Sequence, residues 1–209
     1  MKLREVLITV SNEEVPGLSY MARSFPDDDY DDNGRQELYK VPVYYVYIEG
    51  TDNKNNSVKK IWKALRFMPY WNPEGSKSGY KTIGWVNAGI YYYPKSVVKE
   101  YKPNYSIHNV PGISKGAIVI KDSFYIHEGP GYLTDYGIGS AGCVEIIGSF
   151  NEFKEDIKNL SGCNLDADSA ILNLVKEGKL YLEVKSATPP DIRNFFWKEF
   201  NKYTREIYY

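Results

Sequence analysis

Two stretches of this chain carry side chains that could do chemistry. The first is Phe124-Tyr125-Ile126-His127-Glu128-Gly129; the second, after a glycine-rich interval, is Gly139-Ser140-Ala141-Gly142-Cys143-Val144-Glu145-Ile146. The chain has only two histidines and two cysteines, and His127 stands sixteen positions before Cys143. A thiol becomes a strong nucleophile when a neighbouring imidazole takes its proton, and the same imidazole can then protonate a departing amine. Small residues at Ser140, Ala141 and Gly142 let the backbone come close to a ligand. They also leave the amide N–H groups of Gly142 and Cys143 able to point at a developing oxyanion. Taken singly, each group has a plainer reading. A lone cysteine among apolar neighbours is usually an inert core thiol, and a lone histidine at a strand end is usually held by one hydrogen bond. Taken together they point to a cysteine enzyme of acyl transfer.

Other residues are weighed in the same way. Tyr125, Tyr132 and Tyr136 flank the two stretches and are candidates for a groove that takes a peptide or stacks on sugar, although aromatics in a β-rich chain also fill cores. Tyr132 and Tyr136, in the glycine-rich interval, are the better groove pair. His108 is a candidate second imidazole, with a surface or capping role as its plainer reading. Cys163 follows a helix stop with no histidine near it and reads as an inert thiol. Asp29, Asp31, Asn33 and Gly34 match the first half of a calcium loop, but the twelfth position, where a bidentate glutamate belongs, is Lys40. A solvated acidic loop is the simpler reading, and no metal or other cofactor is expected.

The elements that must position these residues are mainly strands. Leu3 to Val10 and Val41 to Glu49 are rich in β-formers, and Val58 to Met68 leans the same way despite some helical spacing. Gly116 to Ile120 and Ser123 to His127, divided by Lys121-Asp122, read as a tight hairpin. Trp71 to Lys81 reads as loop, and Tyr80 to Tyr93 holds one or two short strands. Cys143 to Ile147 is a short strand. Ser149-Phe150-Asn151-Glu152 is a capping box for a helix that stops at Gly162. Asp166 or Asp168 caps a second helix ending near Gly178, and Lys179 to Val184 is a strand. Thr188-Pro189-Pro190-Asp191 reads as the start of a last, aromatic helix through about Tyr203.

Composition narrows the function. The chain has 209 residues, 43% hydrophobic and 25% charged, with 20 Tyr, 8 Phe and 4 Trp. That balance suits one globular domain with a real core, and the aromatic content favours a β-rich fold. A formal net charge of −1 offers no basic field for a nucleic-acid backbone. No apolar run approaches a membrane span, so membrane insertion is not expected. Val6 to Val10 is too short for the hydrophobic region of a signal peptide.

The block Ile126-His127, the glycine-rich loop and Ser140-Ala141-Gly142-Cys143-Val144 resembles the active-site block of the L,D-transpeptidases, cysteine enzymes of bacterial peptidoglycan. The family motif is a His after a strand, a loop of comparable length, then Ser-His-Gly-Cys-(Ile/Val)-Arg. The resemblance covers roughly Lys115 to Ile147. It implies a β-sandwich of mixed sheets with small helices, an α+β fold that is mainly β. It also implies Cys143 as nucleophile and His127 as general base and acid, with Ser140 and Gly142 shaping the oxyanion pocket. The backbone carbonyl of Glu128 or Gly129 would orient the imidazole. Two positions depart from the motif: Ala141 stands for its second His, and Glu145 for its Arg, which reverses the charge offered to a substrate carboxylate.

The expected substrates are peptidoglycan stem peptides, and the expected reactions are L,D-transpeptidation, L,D-carboxypeptidation or D-amino-acid exchange. Divergent members of this kind include type VI secretion effectors, so the chain is expected to be made in the cytoplasm and to act in the periplasm or on the wall after specialised secretion. A cognate immunity protein that plugs the Cys143 cleft is then the expected partner. Two alternatives stand beside this: an idle wall-binding or structural module, and a Cys–His amidase acting on another peptide.

Overall fold

The computed structural model describes residues 2–23, 25–26, 36–52, 54–67, 69–72, 82–85, 91–106, 115–134, 136–138, 143–188, 196–200 and 207–208. In chain order the strands are β1 (Val6–Arg23), β2 (Phe25–Pro26), β3 (Gln36–Thr51), β4 (Ser57–Leu65), β5 (Pro69–Asn72), β6 (Thr82–Trp85), β7 (Tyr93–Val97), β8 (Tyr101–Lys102), β9 (Ala117–Lys121), β10 (Phe124–Glu128), β11 (Tyr136–Ile138) and β12 (Val144–Ile146). Helices α1 (Phe150–Ser161) and α2 (Ala167–Lys176) follow, then β13 (Leu180–Val184), β14 (Phe196–Phe200) and β15 (Ile207–Tyr208). The protein is mainly β, with its described helices in the C-terminal third, an α+β fold.

One large mixed sheet runs β7-β13-β1-β3-β4-β12-β10-β9-β8. Strand β11 pairs β1, β14 pairs β3 and β15, and β2, β5 and β6 form a separate three-stranded sheet. Most neighbours are antiparallel, but β1–β13, β1–β11 and β10–β12 in the large sheet and β2–β5 in the small one are parallel. The hairpin β9–β10 turns at Asp122, whose φ of 51° lies in the left-handed region that aspartate tolerates better than most residues.

Alternation along the strands divides the core in two. Val6, Ile8, Val10, Val46, Ile48, Ile126, Val144 and Ile146 join the inward faces of α1 and α2 in one cluster. Phe150, Phe153, Ile157 and Leu160 recur at helical spacing and supply the α1 side. A second, smaller cluster holds Val15, Tyr20, Ala22, Tyr39, Val41, Val43 and Leu65. Ser149 caps α1 by accepting from the Glu152 amide, and Gly162, at φ 72°, closes its end in the left-handed conformation. Arg4 donates to the carbonyls of Leu160 and Asn159 there, a cation at the negative end of the helix. Asp166 caps α2, accepting from the Ser169 amide.

Four expectations change. The first strand does not end at Val10: β1 continues to Arg23 through two register shifts against β3, around Glu14, so the polar residues fall on irregular pairs. Trp71 and Asn72, read as loop, close β5 against β6. The glycine-rich interval contains β11, paired to Met21–Arg23. The aromatic helix expected through Tyr203 is replaced at Phe196–Phe200 by strand β14, antiparallel to β3. Consecutive Phe-Phe-Trp has strong β preference, and pairing with β3 decides the outcome.

Buried phenols give the protein an alkaline limit. Tyr101 donates to the Asp168 carboxylate, which also accepts from buried Lys154 at 2.7 Å, so β8, α1 and α2 meet at one carboxylate. Tyr44 donates to Glu14 at 3.3 Å. Burial, then the adjacent carboxylates, push both phenols well above their ordinary pKa. A group raised on folding contributes stability that is whole below its unfolded pKa, near 10, and is lost as pH climbs towards the folded value. Stability is therefore expected to hold to about pH 9 and then to fall by about 1.4 kcal/mol per pH unit for each such tyrosine. Urea unfolding at stepped pH checks this; a midpoint unchanged to pH 11 would refute it.

Candidate active site

Parallel pairing of β10 and β12 brings the two chemistry-bearing stretches together. Ile126 is opposite Val144, His127 opposite Glu145 and Glu128 opposite Ile146. Ile126, Val144 and Ile146 face the helix-covered core, so the alternate residues His127, Cys143 and Glu145 lie on the other face. Cys143 is thus a diagonal neighbour of His127 despite the sixteen positions between them. Both are buried, at 1% exposure for His127 and 7% for Cys143. Leu65, the register partner of Glu145 on β4, belongs to the second core cluster, so that cluster borders the site.

The imidazole has a fixed orientation. His127 Nδ1 lies 2.6 Å from the Glu128 carbonyl oxygen, which makes Nδ1 the N–H donor and Nε2 the basic nitrogen. The Glu128 side chain is engaged separately in an ion pair with Lys115. Gly129 donates its amide to the Ile146 carbonyl at 2.8 Å and lies hard against β12. A Cβ at Gly129 would come within 2.8 Å of the Glu145 Cβ, so the close approach itself requires glycine. The Cys143 thiol points towards the Ser123 carbonyl at 4.0 Å.

Tyr105 is the residue that sequence reasoning missed. Its ring centroid is 6.0 Å from that of His127 and 4.8 Å from that of Tyr125. Burial pushes its hydroxyl pKa up, and the charges of Cys143 and Tyr125 add to the effect. Lys102 continues the row, with Nζ 5.2 Å from the Tyr125 ring centroid. Tyr105 follows a turn in which its amide donates to the Lys102 carbonyl, and the turn flanks an open depression of about 640 Å³. The signal available in the sequence was Lys102-Pro103-Asn104-Tyr105, a turn of no evident partner.

Of the groove candidates, Tyr125 lies in the aromatic row, Tyr132 is 74% exposed, and Tyr136 sits on β11 opposite Met21. Glu145 is 5% exposed beside His127 rather than on the open surface. His108, Ser140, Ala141 and Gly142 lie outside the described residues, as do Asp29, Asp31 and Asn33. Among the described residues no cluster could hold a metal ion, and no helix is long and apolar enough to cross a membrane. Comparison with protein-family models, curated proteins and solved structures yields no match to this chain.

Proposed function

We propose that the protein is a cysteine acyl-transfer enzyme acting on bacterial peptidoglycan stem peptides. The observation that carries this reading is the parallel pairing of β10 and β12, which sets Cys143, the residue just before β12, diagonal to His127, with the imidazole oriented through Nδ1. His127 Nε2 takes the thiol proton, and the Cys143 thiolate attacks an amide carbonyl carbon. As the C–N bond breaks, the imidazolium returns the proton to the departing amine, leaving a thioester on Cys143. Water or an amine, deprotonated by Nε2, then attacks the thioester, and the thiol leaves. Water gives carboxypeptidase activity; an amine gives cross-linking or D-amino-acid exchange. The resemblance of the Lys115 to Ile147 block supplies the substrate class, and with it the proposal of an antibacterial effector acting on the wall with an immunity protein as partner.

Purified sacculi incubated with the protein, with the Cys143→Ala variant in parallel, test this by muropeptide mass analysis. Loss or exchange of a terminal D-residue, or new dimers, is expected with the wild type and absent with the variant. Unchanged muropeptides beside an active control enzyme would refute the assignment. The burial of Cys143 favours one competing reading, an idle module with an inert thiol, and thiol reactivity separates the two.

A further inference from the structure

We propose that Lys102 is the carboxylate-reading residue of this site, selecting stem peptides with a free carboxylate over the same peptides amidated at that group. The inference rests on the acyl-transfer reading of Cys143 and His127.

Tyr105 links the imidazole to Tyr125, and Tyr125 to the Lys102 ammonium. The His127, Tyr105 and Tyr125 rings succeed one another at centroid separations of 6.0 and 4.8 Å, and the Lys102 ammonium stands 5.2 Å beyond the last of them. At ~3.3 Å per extended residue, at most about five residues of a bound peptide cover that row. The open depression beside it is lined, among the described residues, by positions 100 to 106, with Lys102, Tyr105 and the Glu100 carboxylate on it, and it adjoins His127 and Tyr125 through the Tyr105 ring. Aromatic faces accept the apolar stems of a peptide, and an ammonium at their end discriminates by charge.

Lys102 is also exchangeable. Its contacts are the Tyr125 hydroxyl at 3.5 Å and the Glu100 carboxylate at 3.9 Å, with side-chain exposures of 38% for Lys102 and 57% for Glu100. An exposed pair at that separation is worth little, so a ligand carboxylate displaces it readily. The other nearby ammonium, Lys115, is already paired to Glu128. On the other side of β10 from β9 and β8, β12 carries buried Glu145 opposite His127. The depression around Lys102 is the open side of the site, where a ligand carboxylate takes the place of Glu100 on the ammonium.

The test uses two synthetic stem peptides that differ only in one carboxylate against its amide, with wild type, Lys102→Ala, Lys102→Arg and Lys102→Glu. Wild type is expected to favour the carboxylate peptide by about tenfold to a hundredfold in kcat/KM, the worth of one charge-assisted hydrogen bond. Lys102→Ala should abolish the preference through KM with kcat little changed, Lys102→Arg should keep it, and Lys102→Glu should invert it. Cys143-dependent turnover without any preference, or a preference that survives Lys102→Ala, overturns the inference and leaves the acyl-transfer reading standing. Absence of turnover of either peptide overturns both.

Discussion

With His127 replaced by alanine, Cys143 is expected to lose its rapid alkylation near neutral pH, slowing about tenfold, and turnover is expected to fall by about two to four orders of magnitude. An isolated thiol with pKa near 8.5 is only a few per cent thiolate at pH 7, whereas a thiol paired with an imidazole is largely ionised. The lower nucleophilicity of a low-pKa thiolate trims the gain, which is why about tenfold is expected from ionisation alone. The larger loss in turnover reflects the second duty of the imidazole, protonation of the leaving amine. Cys163, in the α1–α2 connection and partly exposed, serves as the internal reference whose rate should not change. The pH profile carries the decisive difference: the wild-type rate should level off well below the pH at which the variant does. Equal rates and equal profiles would make Cys143 an inert thiol and favour the idle module.

The second large effect concerns Arg66, which is 3% exposed and faces no carboxylate among the described residues. Its Nη1 donates to the Ser11 carbonyl at 2.8 Å, and its Nη2 to the carbonyls of Tyr91, at 2.9 Å, and Lys185. One side chain from the end of β4 thereby joins β1, the segment before β7 and the segment after β13. Burial pushes the guanidinium pKa down to about 10, partly offset by Tyr44. The Nε group is buried with no hydrogen-bond partner among the described residues, a further cost of placing the cation there. Arg66→Ala relieves that cost but takes a donor from the carbonyls of Ser11, Lys185 and Tyr91, of which the last still accepts from the Ala187 amide at 3.2 Å; each acceptor left unpaired where water cannot reach it costs about 1–3 kcal/mol, and the substitution opens a cavity. The net expectation is a loss of about 3–5 kcal/mol in urea unfolding, read from the midpoint at constant slope. Arg66→Lys, whose single ammonium cannot span three acceptors set by a planar fork, should recover only part of it. A loss below about 1 kcal/mol for Arg66→Ala would mean that the three segments are held by other contacts.

Much of the fold was legible where the chain carries local punctuation. The Ser149 cap, Gly162 and the Asp166 cap are short-range devices, and the two helices start and stop where these residues put them. The β9–β10 hairpin was readable because its turn lies between two apolar runs. What escaped depends on partners distant in sequence. The Ser11 to Ser19 stretch looks polar, yet β3 pairs with it through two register shifts, and irregular pairing leaves no period to read. Phe196–Phe200 could be strand or helix by composition, and only β3 decides. The site divides in the same way. His127 and Cys143 stood out because the chain has so few of each type, but the parallel pairing that sets them diagonal is a long-range fact. Tyr105 follows a two-residue strand, too short to leave any pattern, and Arg66 looks like an ordinary charge at a strand end.

The ladders on the two sides of β12 differ in extent, and that difference governs how the sheet can breathe. Towards β4 there are two register pairs and one bond from Ile147 to the Lys63 carbonyl. Towards β10 there are three register pairs, extended by the bonds from Gly129 to Ile146 and from Gly148 to Pro130. The shorter ladder thus lies between β4 and β12, and not between the strands that bring His127 and Cys143 together. Separation along that shorter ladder leaves β12 paired with β10, so His127 and Cys143 keep their register.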